Sequence, residues 1–548
     1  MLRAFVSSLK QEFSGYNASA LTKDLMAGLT VAAVALPLAL AFGVSSGADA
    51  ASGLITAIIS GIIISFFSGG YYQISGPTGA MAAILMSLVA SYGMDGVFIA
   101  TLIAGIILLV AGVLHLGKLT SFIPSPVITG FTSGIAVIIA MGQIVNFFGT
   151  YSEGTTAVEK LLSYGRLGFS PNMTAVALGA FVVLFMIFFP KKWNAVVPAS
   201  LVSIIITTAA SITMGLDVAV VGEIPKTLIP ENRLLFSALD FKTITALVTP
   251  AFSIAILGMI ESLLCGASAG RMTGVRLDAN QELVAQSIGN ILLPFFGGIP
   301  ATAAIARTSV AIKSGAKTRL TGIFHAVGLL ISMFLLAPVM SKIPLAALAG
   351  VLMVTAWRMN EWESIHYIFS HKFKGAMLEF VATMLATIIF DLTVAILIGV
   401  LIGLIFLVSR LSFIEINAEN VDMKRMNVTD PVLCERYSNA KVFYITGPMI
   451  FANTQAVSDI ALRAEGCDTV LLSMRGVSNI DISCAQTLRE LIEGLREKGV
   501  DVAICGVPTH AMRMMERSDL KEIVGDENFY WSVERVLLTN RPRPTANA

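Results

Sequence analysis

Long apolar runs constrain the fold of this chain more than any other feature. Mostly apolar runs of roughly 15 to 25 residues recur between residues 24 and 409, the length that an α-helix needs to cross a bilayer. Of the 548 residues, 55% are hydrophobic and only 13% are charged, which is too apolar for a soluble protein of this size. The sequence therefore predicts a polytopic α-helical membrane protein.

Twelve runs are long enough to be read as full-length spans, and two are shorter. The full-length spans are predicted near 24–43, 51–68, 95–115, 126–148, 173–190, 195–215, 244–268, 283–297, 319–337, 344–356, 376–391 and 392–409. The runs 77–91 and 300–313 are too short for ordinary spans and are predicted to be half-helices. The total is fourteen membrane segments.

Two stretches broken by Gly and Pro relate the two halves of this region. They are Ile74–Ala83 and Gly298–Arg307, and Pro300 follows Pro77 by 223 residues. Seven segments per half is an odd number, so the halves must be inverted relative to each other. Interrupted segments at matching places in two repeats are the best sequence indication of a transporter's binding site.

The charges of the loops predict the orientation. Eleven Lys and Arg residues fall in loops on the side of the N-terminus and six in the opposite loops, so the positive-inside rule places both termini in the cytoplasm. Residues 1–23 are then a cytoplasmic N-terminus, and they lack the apolar core of a cleavable signal peptide. We expect the plasma membrane, the inner membrane of a bacterium, as the location.

After Arg410 the composition becomes that of a soluble domain. Strands are predicted at 441–446, 469–474 and 500–507, and helices near 453–465, 484–498 and 509–517. This alternation predicts one small α/β domain at 438–548, joined by a linker at 411–437 to a transport domain at 24–410.

Several functional classes are disfavoured by composition and motifs. The formal net charge is +1, which argues against nucleic acid as a partner. Five cysteines show no CxxC spacing, five histidines show no metal-ligand spacing, and no GxSxG, HExxH or P-loop is present. We therefore expect no enzyme, no cofactor and no metal.

The two broken segments predict an anion-binding site. A helix that begins at membrane depth leaves its first N–H groups unpaired, and a negative ligand can satisfy them. The expected substrate-binding residues at the two helix starts are Thr78, Gly79, Ala80, Ala301, Thr302 and Ala303. The alternative is that these small residues only permit close helix packing.

Two charged residues are candidates for a role beside this site. Arg307 lies seven residues after Pro300, and it could attract an anion or form a salt bridge with Glu261. Glu261 is the only acid inside a predicted full-length span and away from its ends. It could hold a cation, bind and release a proton, or serve only as the structural partner of Arg307.

The motifs resemble those of the SulP anion transporters, called SLC26 in animals. They are, in order, Ala35–Ala41, Ser75–Gly79, Glu261–Leu264, Asn280–Leu283, Gly289–Asn290, Gly297–Thr302 and Ala306–Thr308. The stretch Asn479–Ser483, after a predicted strand, resembles a STAS domain, the usual C-terminal partner in that family. The resemblance covers nearly the whole chain.

The resemblance implies a core and a gate domain, a homodimer and an elevator-like movement. It implies transport of sulfate, bicarbonate, chloride, oxalate or dicarboxylates, and the motifs do not choose among these anions. Sodium-coupled relatives have Asp at the position of Glu261 and Thr four residues later. Cys265 stands at that second place, and a thiol is a poor sodium ligand. Coupling to a proton on Glu261 is therefore our hypothesis, with sodium coupling or a passive channel or exchanger as alternatives.

Two further positions depart from the pattern of relatives. Leu38, the counterpart of Glu261 at the offset of 223, stands where many relatives have Gln. Ser483 falls where related bacterial regulators carry a phosphorylatable Ser, with Cys484 replacing the usual Gly. A helix-capping role for Ser483 is the favoured interpretation, with regulation as the alternative. The STAS-like domain is expected to set dimer geometry or to bind a cytosolic partner.

Two other functions compete with anion transport. Nucleobase carriers of related fold also use a Glu in the eighth helix, but they add an acid around the tenth segment, which 299–314 lacks. A membrane sensor that signals through the STAS-like domain is the second alternative.

Overall fold

A computed structural model describes residues 2–118, 124–154, 157–190, 193, 197–235, 241–390, 392–423 and 429–539. Residues 195, 196 and 391 at the ends of predicted spans, part of the predicted linker and the last nine residues lie outside the described residues. Two compact units are present, residues 1–403 and residues 404–548.

The first unit is helical. Its helices, with the last one continuing into the second unit, are α1 (Leu2–Glu12), α2 (Ala18–Ser45), α3 (Ala50–Phe67), α4 (Gly79–Val113), α5 (Ser125–Gly142), α6 (Ile144–Phe148), α7 (Ala157–Leu167), α8 (Met173–Phe188), α9 (Ala199–Met214), α10 (Phe241–Thr273), α11 (Ala279–Leu292), α12 (Ile305–Lys313), α13 (Leu320–Met340), α14 (Leu345–Met359), α15 (Trp362–Ser370), α16 (Lys374–Ile389) and α17 (Leu392–Leu411). Two short strands, β1 (Ser75–Gly76) and β2 (Thr302–Ala303), precede α4 and α12.

Local sequence determines where several membrane helices begin. The side chains of Asn17, Asp49 and Asp278 each accept a hydrogen bond from a backbone N–H in the first turn of α2, α3 and α11. Such caps satisfy donors that have no partner within the helix. Among the described residues, six helices are long and apolar enough to cross a membrane, and shorter apolar helices accompany them.

Within the described residues, helices lie at the positions of all fourteen predicted segments. The half-helix predicted at 77–91 and the span predicted at 95–115 form one element, α4, which is interrupted at Gly93, where φ is +67°. This left-handed conformation suits glycine, and it divides α4 into two segments. Helices α5 and α6 together form one segment, and α7 and α15 are amphipathic connectors that the sequence analysis did not predict.

Helix packing follows the inverted repeat. In the first half α2 and α3 pack against α13 of the second half, and α10 and α11 pack correspondingly against α4. Helices of opposite halves also pack in two further pairs, α5 with α16 and α8 with α14. Glycines allow the closest approaches, since a Cβ at Gly130 would collide with the backbone of Phe380. The predicted fold class is confirmed in this region.

The second unit contains a five-stranded sheet. Its strands are β3 (Glu415–Asn420), β4 (Ala440–Met449), β5 (Thr469–Ile480), β6 (Asp501–Cys505) and β7 (Phe529–Tyr530), paired in that order. The β3–β4 pair is antiparallel and the other pairs are parallel. Strand β3 lies within the segment predicted as a linker.

Helices cover this sheet and bury its apolar side chains. They are α18 (Pro431–Arg436), α19 (Thr454–Ser458), α20 (Ile460–Arg463), α21 (Ile482–Glu497), α22 (Thr509–Arg517), α23 (Leu520–Val524) and α24 (Val533–Leu537). The larger core cluster contains Phe443, Leu472 and Leu488, and a second contains Tyr437 and Leu471. Adjacent residues of β5, Leu471 and Leu472, thus face opposite sides, as a covered sheet requires.

Candidate functional site

The two broken segments meet through a short strand pair. Strands β1 and β2 are antiparallel, with Ser75 opposite Ala303 and Gly76 opposite Thr302. The helices that follow them therefore start near one another, from opposite repeats. The two breaks were predictable from the sequence, but this pairing was not.

The carboxylate of Glu261 lies between these segments. Its Oε2 atom accepts hydrogen bonds from the hydroxyl of Thr302 at 2.6 Å and from that of Thr78 at 2.9 Å. The two hydroxyl oxygens are 3.3 Å apart. Thr302 is fully buried and Thr78 nearly so, whereas Glu261 is only partly buried. Three predicted site residues, from α10 and both broken segments, are thus brought together.

The first helix start matches the predicted arrangement. Thr78 is the N-cap of α4, and its side chain accepts a hydrogen bond from the N–H of Met81. Gly79 and Ala80 occupy the first turn, where backbone N–H groups have no partner within the helix. A Cβ at Gly79 would also clash with Ile139, so close packing requires glycine here as well. The binding and packing interpretations therefore both apply to this residue.

The second helix start differs from the prediction. Helix α12 begins at Ile305, five residues after the predicted start, and it has no side-chain cap. The N–H of Ala301 donates to Asn290 Oδ1 at 2.9 Å, and that of Ala303 donates to Ser262 Oγ at 3.2 Å. The prediction that these N–H groups would be free for an anion is therefore wrong, because buried side chains already bind them.

Arg307 is buried in the first unit, with 2% of its surface exposed. Its Nη2 atom donates to the carbonyl oxygen of Pro77 at 2.8 Å. Its Nη1 atom has no hydrogen-bond partner among the described residues, and no ion pair within 4.0 Å joins it to Glu261 there. Arg307, from the second broken segment, is thus bound to Pro77 at the break of the first segment and is not paired with the Glu261 carboxylate.

The hydrogen bond of Cys265 goes to Thr308 and not to Glu261. Its thiol lies 3.2 Å from the hydroxyl oxygen of Thr308, which in turn accepts the N–H of Ile74 at 3.0 Å. Both side chains are buried. Cys265 therefore connects α10 to α12 and to the strand entering the first break, rather than completing a cation site around the carboxylate.

A second carboxylate, that of Glu282 on α11, lies near the first break and was not predicted to have a role. Glu282 is fully buried and accepts hydrogen bonds from Ser68 Oγ at 2.6 Å, from the N–H of Gly69 at 3.0 Å and from Gln286 Nε2 at 2.8 Å. The amide of Gln286 also donates to Ser75 Oγ at 3.0 Å. The spacing of four residues between Glu282 and Gln286 was the available signal, since such residues share a helix face.

A third charged cluster joins the N-terminal segment to α13. Glu12 accepts the backbone N–H of Arg319 at 2.7 Å and forms a buried ion pair of 2.7 Å with its guanidinium. Asp24 accepts hydrogen bonds from the N–H groups of Lys317 and Thr318, at 2.6 and 3.1 Å. Neither acid was predicted to have a role, because Glu12 lies in the polar N-terminal stretch and Asp24 lies at the very start of the first apolar run.

In the second unit, Asp481 caps the helix that follows β5. Its Oδ1 accepts the N–H of Cys484 at 2.9 Å, and its Oδ2 accepts the N–H of Phe451 at 2.7 Å. Ser483 lies inside the first turn of α21 and is partly exposed. The interpretation of Ser483 as the capping residue is therefore wrong, while its regulatory role stays a prediction.

Comparison with known proteins adds evidence independent of this geometry. Residues 21–386 match the sulfate permease family, and residues 432–536 match the STAS domain. YvdB of Bacillus subtilis (strain 168) is 34% identical over 533 residues, which cover 94% of this chain and 97% of YvdB. The bicarbonate transporter BicA of Picosynechococcus sp. is 30% identical over 537 residues, covering 94% of each chain.

A solved structure agrees in fold. The inward-facing structure of murine Solute Carrier 26 family member A9, an anion transporter, superposes with a TM-score of 0.83 at 17% identity. The match covers 98% of this chain and 94% of that chain. The sulfate permease match covers two thirds of the residues, and the STAS match follows it along the chain. This chain therefore belongs to the sulfate permease family of membrane transporters.

Proposed function

We propose that this protein is a secondary active transporter that carries a small oxyanion, sulfate, bicarbonate or a dicarboxylate, together with a proton. Sulfate is suggested by the family description and bicarbonate by the name of the relative BicA. The anion binds at the break between the two repeats, and an elevator-like movement of the core against the gate carries it across the membrane.

The observation that carries this proposal is the position of the Glu261 carboxylate. It accepts the hydroxyl hydrogens of both Thr78 and Thr302, which are the donors expected for a substrate oxyanion. The carboxylate thus occupies the place where the anion would bind. Substrate and ionised Glu261 would compete for the same donors.

Electrostatics makes this competition strong. Two unit charges about 4 Å apart repel by roughly 4 kcal/mol at an effective dielectric constant of about 20. That energy corresponds to roughly a thousandfold loss of affinity. A proton on Glu261 removes the repulsion and frees the two hydroxyls, so anion and proton bind together.

Arg307 supplies the positive charge near the site. It is buried, it has an unpartnered Nη1 atom among the described residues, and it forms no ion pair with Glu261 there. A buried guanidinium without a carboxylate partner is costly unless an anion neutralises it. The substrate is the neutralising group in our proposal.

Sodium coupling is the alternative for the same carboxylate. A sodium ion would require several oxygen ligands, and Cys265 offers a thiol directed at Thr308 instead. We therefore favour the proton. A passive channel or exchanger is the second alternative, and net accumulation of substrate separates it from a coupled carrier.

The setting of the transporter is also proposed. We place it in the plasma membrane with both termini in the cytoplasm, according to the loop charges. We expect a homodimer, with the STAS domain binding a cytosolic partner or setting dimer geometry and Ser483 as a site of regulation. Accessibility of cysteines introduced at loop lysines in intact cells tests the orientation.

Uptake into proteoliposomes tests the proposed function. Labelled sulfate and bicarbonate are offered with and without an inward proton gradient, and with and without sodium. We expect accumulation driven by the proton gradient in the absence of sodium. Glu261→Gln should abolish this accumulation while retaining exchange of labelled for unlabelled anion, because a neutral side chain mimics the protonated state.

The control is Glu379→Gln, which changes a buried carboxyl group of α16 that contacts neither broken segment among the bonds described. It should leave the response to the proton gradient intact. Unchanged proton dependence in Glu261→Gln would sink the proposal, as would a strict requirement for sodium. Equilibration without accumulation would favour the passive alternative.

A further inference from the structure

The connector between α14 and α16 is an aromatic segment at the membrane surface. Because α14 and α16 are membrane segments, residues 360–373 between them, together with the last three residues of α14 and the first residue of α16, must lie where the two helices emerge. Helix α15 forms most of this segment. We call residues 357–374 the interfacial segment.

Large aromatic side chains of the interfacial segment are exposed rather than packed into the protein. Their exposed fractions are 65% for Trp357, 45% for Trp362, 56% for Tyr367, 39% for Phe369 and 46% for Phe373. The two tryptophan rings lie 4.5 Å apart, and Trp362 Nε1 donates to the carbonyl oxygen of Trp357 at 3.0 Å. Tryptophan and tyrosine favour the headgroup level of a bilayer, where an apolar ring and a polar atom are both accommodated.

Two lysines flank this aromatic surface at the end of α15. Lys372 and Lys374 are exposed, and neither forms an ion pair with a described residue. The acids Glu361 and Glu363 lie at the opposite end of α15, and Glu361 Oε2 accepts from the hydroxyls of Thr129 and Ser364. Within the described part of the chain, the positive charge at this end therefore has no acidic partner.

The backbone at Lys372 provides an independent observation. Its φ is +53°, and its N–H donates to the carbonyl of Phe369 while the N–H of Phe373 donates to that of Ile368. This is the Schellman arrangement that ends many helices, and glycine is the usual residue at its left-handed position. A lysine is less stable there than glycine, and this backbone geometry fixes where the Lys372 side chain leaves the end of α15.

We propose that the interfacial segment binds the headgroups of anionic phospholipids. Lys372 and Lys374 contact the headgroup phosphates, and the aromatic side chains lie among the headgroups beside them. Each basic residue near an anionic membrane surface strengthens the attraction to that surface by about fivefold in affinity, so the pair favours acidic over neutral headgroups. The proposal concerns a lipid site separate from the transport site and does not depend on the coupling ion.

Fluorescence quenching by brominated lipids tests this site. The full-length chain has four tryptophans, and the Trp193→Phe/Trp531→Phe background leaves Trp357 and Trp362 as reporters. It is placed in bilayers of one composition, phosphatidylcholine with about a fifth phosphatidylglycerol, with bromine on the chains of one lipid or the other. Quenching per bromine then reports which lipid lies beside the tryptophans.

We expect several-fold greater quenching per bromine from phosphatidylglycerol. Lys372→Gly/Lys374→Gln should reduce the two values to equality, whereas Lys342→Gln, at the other end of α14, should leave the preference unchanged. Lys372→Gly alone should not lower the thermal unfolding temperature, because glycine suits the left-handed backbone. Equal quenching in the parent, a preference that survives the double substitution, or no quenching by either lipid would overturn the proposal.

Discussion

The side chain of Arg307 fills the space that a side chain at Gly76 would need. A Cβ at residue 76 would overlap Arg307 Nη1 and lie 3.2 Å from its Cζ and Nη2 atoms. The guanidinium has little freedom to move, since it is buried and its Nη2 atom is bound to Pro77. The absence of a side chain at Gly76 therefore allows the Arg307 guanidinium to lie where it does.

Gly76→Ala should weaken anion binding while leaving the protein folded. Displacement of Arg307 removes a charged hydrogen-bond donor, and such an interaction contributes about 1.5–3 kcal/mol, or roughly ten- to a hundredfold in affinity. The measurement is the concentration dependence of anion uptake in proteoliposomes. The control is Gly494→Ala in α21, where nothing lies within 4 Å of the added methyl group. An unaltered apparent KM in Gly76→Ala would contradict the role given to Arg307.

Glu12→Ala should destabilise the first unit. Arg319 and Glu12 form a buried ion pair, and Arg319 also donates to the carbonyl of Phe66 at 2.7 Å. Removing one partner of a buried pair costs about 3–5 kcal/mol, because the remaining charge is left uncompensated. Thermal unfolding of the detergent-solubilised protein should occur at a lower temperature.

The matched control for that experiment is Glu153→Ala, which removes the exposed ion pair of Glu153 with Arg166. An exposed pair contributes about 0–1 kcal/mol, so the unfolding temperature should hardly change. Equal effects of the two substitutions would show that burial of the Glu12 pair does not matter to stability.

Asp481→Ala should loosen the start of α21. The lost carboxylate accepts the backbone N–H groups of Cys484 and Phe451, and loss of an N-cap costs about 1–2 kcal/mol. Amide hydrogen exchange in the first turns of α21 should accelerate by about five- to thirtyfold. Asp481→Asn, which retains an acceptor oxygen, should restore most of the protection. Ser483→Ala should have little effect, in contrast to what a capping serine would predict.

Cys484 should resist alkylation in the folded protein. Burial, with a smaller contribution from the charge of Asp481, raises the pKa of its thiol from 9.0 to about 12. The thiolate is the reactive form, so iodoacetamide should leave Cys484 unmodified at pH 8 and at pH 10, while partly exposed Cys467 is modified. Mass spectrometry of tryptic peptides gives both yields.

The same shift has a consequence for stability. Because the folded pKa of Cys484 exceeds the unfolded one, its contribution to stability is complete below pH 9 and is lost as the pH rises through about 12. Unfolding of the native chain by heat should therefore occur at lower temperature at pH 10.5 than at pH 8. Cys484→Ala should show a smaller dependence over that range.

Some of the fold and site could be predicted because the signal is local. Apolar runs give membrane segments since each helix must satisfy its own backbone in lipid, and the breaks at Pro77 and Pro300 follow from what proline and glycine do to a helix. Helix α22 was predicted at its observed bounds, 509–517, for the same reason. Ser483 was misassigned because Asp481, two residues earlier, is an equally good capping residue. Only the backbone conformation shows that the helix begins at Ile482 and that Asp481 caps it.

The sequence by itself determined the membrane class, the two inverted halves, the α/β tail and the candidate residues Thr78, Glu261, Thr302 and Arg307. Only the tertiary structure decided how these residues meet. The β1–β2 pairing brings residues more than 220 positions apart into contact, and it gives both threonine hydroxyls to Glu261 while leaving Arg307 at Pro77. It also assigns the N–H groups of Ala301 and Ala303 to Asn290 and Ser262. Which acceptor binds each of these N–H and hydroxyl donors depends on side chains from distant segments that compete for them. Local sequence patterns do not show which acceptor is nearest in the folded chain.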